Sequence, residues 1–436
     1  MLPIEINKMK VSIVVIGFQK EDHKMHPHLY DFLQNLRIIY DDVVYIGDGD
    51  QCENLYYIDR DIRNILDVFN FKKLHHNYTN LKRKCDDSLK HESDNIYAET
   101  IFLKLFYLAV KKFFGRFFNL YKDFLSYTKR KRRLIKNLKN VKVKYDEGFV
   151  LAIDPTSWFV AEKYFPGKAV FWSYDILTKD YPLRIKNGFL EKLITSQEFL
   201  KAKALIIQDE QRKKLLEESV GISFPNTIFL PVSLNDSEFC RKASENRMKR
   251  NAFSTVNIVQ SGWIVKSRWS DQLIDVYQNW PTRYELNLRG FVGVDIKNML
   301  LNVKRKPHVS ESIYDNTCRS QILNNYDIGF VGYTEKDSNH KYAENASSQM
   351  VDFLRLGIPV LGCGSSLFND FVNKQNIGMG ITSPEEMEEA IKKIIDNYSF
   401  FSYNARKLYE SRFNLNNIFN NYLSRAFEEM CLVKTK

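Results

Sequence analysis

Two acids stand eight positions apart in Glu344-Asn-Ala-Ser-Ser-Gln-Met-Val-Asp352, and five residues after the second comes Gly357, followed by Pro359 and apolar Val360-Leu361. The pattern predicts a loop, then a helix over Ser347 to Leu356 with Ser347 or Ser348 as N-cap, a glycine stop, and a buried strand introduced by Pro359. A helix start beside a loop presents free backbone N–H groups, an arrangement suited to a diphosphate. Asp352, about one turn inside the helix, carries a carboxylate able to accept both hydroxyls of a ribose. The same two acids also suit a solvated loop position and a first turn favoured by the helix dipole. A second block, Val259-Gln-Ser-Gly-Trp-Ile-Val-Lys-Ser-Arg268, is a strand ending in Gly262 with a cation six positions later. Gly262 suits either a plain strand-end turn or the close approach of an anion to the backbone, and Lys266 and Arg268 suit either solvated positions or contact with that anion.

The elements that must hold these residues read as α/β throughout. Short apolar runs predict buried parallel strands at Lys10 to Phe18, Asp42 to Gly47, Phe149 to Ile153, Ala169 to Trp172, Ala204 to Ile207 and Thr227 to Leu230, with an amphipathic helix over Leu29 to Ile39. Composition turns polar between Asn235 and Ser254, which marks a linker. A second series follows, with strands at Val256 to Gln260, Tyr284 to Leu288, Ile328 to Val331 and Pro359 to Leu361 and helices around Asp271 to Gln278 and Pro384 to Ile395. Two Rossmann-like doubly wound domains are expected, residues 1–235 and 236–412, facing a cleft where the carboxyl ends of their strands meet a ligand.

On these residues the chain resembles the GT-B glycosyltransferases often called family 4. Their donor-site motif has two acids eight apart, a helix and a G-x-P-V strand, and here Asp352 stands where Glu is usual. The block ending at Arg268 resembles the family's opening donor-domain motif, with Trp263 where Arg is common and Lys266 as its replacement, which implies that phosphate approaches Gly262 and that Arg268 or Lys266 neutralises the leaving diphosphate. Pro231-Val-Ser-Leu-Asn-Asp resembles the interdomain segment, Leu288-Arg-Gly290 the turn near the nucleotide base, and Tyr326-Asp-Ile-Gly-Phe330 the strand before the motif loop. Tyr403 to Phe413 with the helix beyond it resembles the closing segment, so residues 413–436 are expected to cross back to the first domain. The resemblance covers roughly residues 226–429. It implies that Glu344 contacts the donor sugar, Asp352 the ribose, and the amides of Asn345, Ser347 and Ser348 the phosphates, with Gly262 and Gly290 lining the nucleotide.

The implied activity is that of a hexosyltransferase of polysaccharide biosynthesis. It moves a sugar from a nucleotide-sugar donor, UDP-sugar favoured, to a glycan or lipid-linked acceptor with retention of anomeric configuration. Such chemistry needs stabilisation of the departing diphosphate and of an oxocarbenium-like centre, so no cofactor or metal is expected. Asp48-Gly49-Asp50 follows an early strand and reads as a turn. Candidate acceptor contacts in the first domain are Asp154, ranked first, then Asp175, His23, His26 and His28. A sugar-nucleotide epimerase or phosphorylase on the same fold is the nearest enzymatic alternative, with His308 a faint hint of it.

The formal charge of +11 is concentrated. Residues 101–144 hold fourteen Lys or Arg against one acid, Asp123, and include Lys129-Arg130-Lys131-Arg132-Arg133 beside an aromatic run rich in Phe. A helix lying in an anionic headgroup region with a polybasic cluster fits, as does a core-facing helix with a solvated basic tail. A nucleic-acid-binding role for this segment is the other-class alternative, disfavoured because no DNA- or RNA-binding fold is recognisable. The six cysteines are scattered, without metal or disulfide spacing, and no secretory signal or run of membrane-spanning length is visible. A cytoplasmic protein, peripheral on the inner membrane face, is the expectation.

Overall fold

In the computed structural model, the described residues are 9–16, 26–46, 148–178, 202–250, 252–311, 318–336 and 338–432. The basic segment 101–144, Lys129 to Arg133 within it, lies outside them, as do Gly17, Phe18, His23 and Asp48 to Asp50.

The first sheet contains β1 (Met9–Ile16), β2 (Tyr40–Ile46), β3 (Gly148–Ile153), β4 (Ala169–Trp172), β5 (Ala204–Ile207) and β6 (Thr227–Phe229). All neighbours are parallel, in the order β2-β1-β3-β4-β5-β6. Every residue of β4 and β5 is buried, because helices cover both faces and each side chain of either parity meets apolar neighbours. On one face, α1 (Pro27–Ile39) sets Leu29, Phe32, Leu33 and Leu36 against Val15, Leu151 and Trp172, at the spacing of a single helix stripe. On the other, α2 (Asp154–Tyr164) and α3 (Glu210–Val220) pack Trp158 and Leu216 against Phe171 and Leu205.

The second sheet is built from β7 (Val256–Ile264), β8 (Tyr284–Val292), β9 (His308–Ser310), β10 (Ile328–Tyr333), β11 (Val360–Gly364) and β12 (Gly378–Ile381). Its order is β12-β11-β10-β7-β8-β9, again parallel between all neighbours. Strand order reverses between β7 and β10, so the crevice at their carboxyl ends is where a doubly wound sheet binds its ligand. Helix α9 (Ser348–Arg355) covers one face with Met350, Val351 and Phe353, and α5 (Ser270–Tyr277) covers the other with Leu273, Ile274 and Tyr277.

Two features depart from the sequence expectation. The polar stretch 235–254 is not a bare linker, since it contains α4 (Glu238–Met248), N-capped where Ser237 Oγ accepts from Cys240 N at 3.2 Å. Its buried side is only Cys240, Ala243, Ser244 and Arg247, too narrow and polar a stripe to register as amphipathic. Strands β9 and β12 were also not expected. The first has mostly exposed residues and the second carries two glycines, which removes the apolar signal.

Beyond α12 (Tyr398–Leu408) the chain returns to the first sheet. Leu415, Phe419, Leu423 and Phe427 join the cluster around β1, β3 and α1, and the Phe419 ring lies 5.1 Å from Phe32. The Phe427 ring lies 5.3 Å from Phe149. Among the described residues no helix is long and apolar enough to cross a membrane.

Candidate donor and cleft site

At the reversal point, sequence-distant residues meet. Ser347 is the N-cap of α9, and its Oγ accepts from Met350 N at 3.2 Å and from the Tyr333 hydroxyl at 2.7 Å. Ser348 is the first helical residue. The guanidinium of Arg268 sits over the Tyr333 ring, 4.3 Å from its centroid, so a single phenol ring separates this cation from the amides at the helix start. Arg268 Nη1 is buried with no hydrogen-bond partner, a donor left for an anion. Lys266 is exposed in the same one-turn 3-10 segment, Lys266–Arg268.

This turn is held by an unusual backbone. Trp269, with φ 60, adopts the left-handed conformation between the 3-10 turn and α5, at about 1 kcal/mol for a bulky residue. The Arg268 carbonyl presses on Gly332 so closely that a Cβ there would lie 2.4 Å from it, and that carbonyl also accepts from Gln260 Nε2 at 2.8 Å. Gly262 has φ 89 and pairs with Gly290, where a Cβ would sit 2.1 Å from the Gly262 carbonyl oxygen. Gly290, expected near the nucleotide, thus has a packing requirement of its own. Gln349 of α9 donates to the Ser261 carbonyl, tying the helix start to the end of β7. Trp263 is 60% exposed and packs its ring 4.9 Å from Phe291.

Glu344 lies three residues before the cap, and its Oε2 is buried without a hydrogen-bond partner. Burial first, and the nearby Asp209 carboxylate, push its carboxyl above the ordinary range, against its own backbone N–H and the Arg212 and Arg412 cations. Asn345 is buried and donates from Nδ2 to Asp209 Oδ2 at 2.8 Å, while its carbonyl accepts from Val232 N at 2.9 Å. The loop that begins α9 is therefore fastened to the first domain.

Asp352, the expected ribose contact, lies in α9. It is fully buried, with Oδ2 accepting from Arg319 Nε at 2.7 Å and Oδ1 facing Arg355 at 3.5 Å. The shorter side chain stays within this pair of arginines instead of extending past them. Asp154 is the first residue of α2, at the carboxyl end of β3, and its side chain lies outside the described residues. Asp175 is exposed beside the cleft, whereas His28 is buried and accepts at Nδ1 from Ser233 N at 2.7 Å. Burial holds His26 down at about 4 and His28 at about 3. His308 is exposed at the edge strand β9.

Sequence reasoning missed Arg212, Asp209 and the short helix α8 (Ser338–Lys341) with its neighbour Tyr342. Arg212 has no exposed surface, and burial pulls its pKa down while Asp175, Asp209 and Glu344 support its charge. Nothing in Glu210-Gln-Arg-Lys-Lys marks it, because a charge run at a helix start normally reads as a solvated face. Among the described residues no group of three or more His, Cys, Asp or Glu could hold a metal ion.

No family model matches the chain, and no curated protein matches it. Among solved structures it is similar to Anabaena Alr3699/HepE in complex with UDP, at 12% identity over 97% of this chain and 100% of that one, with TM-score 0.57. The same Anabaena protein in complex with UDP and glucose gives 11% identity over 96% and 100%, with TM-score 0.55. An E. coli structure, trehalose-6-phosphate bound with UDP-2-fluoro glucose, gives 9% identity over 98% and 100%, with TM-score 0.56. Two parallel doubly wound sheets matched end to end in this way are the GT-B fold.

Proposed function

We propose that this chain is a metal-independent glycosyltransferase that takes a hexose from a UDP-sugar and passes it, with retention, to a glycan or lipid-linked acceptor. The observation that carries the reading is the convergence at the β7–β10 reversal of an N-capped helix start, a buried guanidinium nitrogen without a partner, and a carboxylate oxygen without a partner. The three are the complement of a sugar diphosphate: amides and cation for phosphate oxygens, carboxylate for sugar hydroxyls. The uridine nucleotides of the three similar structures favour UDP over other nucleotides.

In this reading the diphosphate sits on the amides of Ser347 and Ser348, with Arg268 and Lys266 taking up charge as the bond to the anomeric carbon breaks. Glu344 orients the sugar through its hydroxyls. Asp352 serves the site by orienting Arg319 and Arg355 beneath the nucleotide. Asp154, at a strand end of the first domain, is the proposed acceptor contact, and Lys129 to Arg133 the contact with an anionic membrane surface on the cytoplasmic side.

Isothermal titration with UDP, GDP and ADP tests the donor site. UDP should bind, and Arg268→Ala should weaken it by about 1.5–3 kcal/mol, the range for hydrogen bonds to a charged group. Absence of binding by every nucleoside diphosphate would remove the proposal, and conversion of a UDP-hexose to its epimer with no acceptor present would replace it with an epimerase.

A further inference from the structure

We propose that Arg212 is a positioning residue that fastens the segment carrying Glu344 to the first domain, so that Glu344 is in place when the cleft holds a donor sugar. The inference rests on the glycosyltransferase reading above.

Arg212 lies in the first turn of α3, behind the cap Asp209, whose Oδ1 accepts from Arg212 N at 2.8 Å. Its guanidinium makes two bonds within its own domain, Nε to Gln208 Oε1 at 2.6 Å and Nη2 to the Tyr174 carbonyl at 3.0 Å. Two more cross the cleft, Nη1 to the Tyr342 carbonyl at 2.8 Å and Nη2 to Asn339 Oδ1 at 3.0 Å. Asn339 completes the junction by exchanging bonds with the backbone of Ile176, accepting from its N–H at 2.6 Å and donating to its carbonyl at 3.0 Å. Tyr342 is two residues before Glu344.

Every hydrogen-bond acceptor on this cation is neutral, while the surrounding carboxylates compensate its charge through space. A buried ion held this way is not placed for stability, since an apolar side chain would avoid the desolvation. What the planar fork supplies is geometry: donors in fixed directions, pinning two backbone carbonyls from opposite sides of a cleft. A lysine keeps the charge and loses the fork. The carbonyl of Tyr342 fixes the backbone just ahead of Glu344, and Asp209 fixes Asn345 just after it. The acid is thus gripped on both sides by one helix start of the first domain.

The test uses the full chain with Arg212→Lys, Arg212→Ala and Asn339→Ala, UDP as binding probe and UDP-glucose hydrolysis as turnover. Small-angle scattering of the free protein reads the interdomain arrangement. Because UDP meets Arg268 and α9, its affinity should stay within about threefold in all variants, whereas kcat should fall about tenfold to a hundredfold from misplacement of a reacting group. The scattering distribution should broaden. Arg212→Lys should remain as impaired as Asn339→Ala, and if Arg212→Ala does not fold, Asn339→Ala alone decides, since it leaves the arginine its own-domain bonds. Wild-type kcat in Asn339→Ala and Arg212→Lys, or a kcat loss matched by an equal loss of UDP affinity, overturns the assignment. If wild-type protein neither binds UDP nor hydrolyses UDP-glucose, the glycosyltransferase reading fails, and unchanged scattering in the variants would overturn the fastening separately.

Discussion

Asp352→Asn separates two roles for one carboxylate. The substitution keeps the shape of the side chain and removes the negative charge that the Arg319 and Arg355 side chains, 13% and 10% exposed, share. Breaking a buried pair from one side costs about 3–5 kcal/mol, because the remaining cation stays desolvated. Arg355 also donates to Ser320 Oγ at 2.8 Å and to the Asn235 carbonyl at 3.2 Å, which softens its loss. The lower end, about 3 kcal/mol, is therefore expected. Urea unfolding of the second domain, followed by tryptophan fluorescence, should show the midpoint shift at unchanged slope. UDP affinity, measured where the variant is still folded, should change by no more than about threefold. A stability loss below about 1 kcal/mol together with a drop in UDP affinity beyond tenfold would refute this reasoning and put the carboxylate on the ribose.

Gly290→Ala should destabilise by about 2 kcal/mol or more in thermal melts, since the added carbon meets the Gly262 carbonyl and φ is 134; a neutral effect would mean that β7 and β8 can separate there. Ser347→Ala removes the cap of α9 and the acceptor of the Tyr333 hydroxyl, and should cost about 1–2 kcal/mol in urea midpoint while weakening UDP binding; intact binding would move the phosphate site away from this helix. Arg268→Ala should lower kcat about tenfold to a thousandfold, measured at saturating donor, if its charge meets the leaving diphosphate. The first domain should lose stability in mild acid. His26 and His28 are depressed to about 4 and about 3, so their contribution is lost as pH falls from 6.5, while Asp31, raised by burial to about 6, contributes stability that is full below 3.8 and lost as pH rises to about 6, so it opposes them between those two values. Between about pH 4 and 6 the unfolded chain binds a net one proton more, a slope of about 1.4 kcal/mol per pH unit that His28→Gln should reduce; a flat profile would place these groups in solvent.

The strands were legible because a parallel strand covered on both faces must be apolar at every position, as Ala204 to Ile207 and Ala169 to Trp172 are. The capped helix start was legible too, since the Ser347 pattern is local chemistry. What stayed hidden depends on partners distant in sequence. The acid at 352 could be found from spacing, but its occupation by Arg319 depends on how α7 (Arg319–Leu323) packs against α9. Arg212 meets Asn339 and Tyr342 only after two domains have docked, and no window around residue 212 contains that information. Helix α4 was hidden for the opposite reason. Arg247 is a core residue, donating from Nη1 to the Tyr326 carbonyl and the Tyr398 hydroxyl, in a stretch whose polarity suggests exposure.

The return of the chain to the first sheet sets a schedule for biosynthesis. When β6 has left the ribosome, the surface formed by Phe32, Phe149 and their neighbours still lacks Leu415, Phe419, Leu423 and Phe427, which are made only after the whole second sheet. At roughly 5–20 residues per second, the nascent first domain waits on the order of ten to forty seconds with that apolar surface uncovered. During the same interval the second domain can complete its own sheet. Chaperone demand should thus fall on the half made first, and a chain cut just before Leu415 should fold its second domain while its first remains open to proteases.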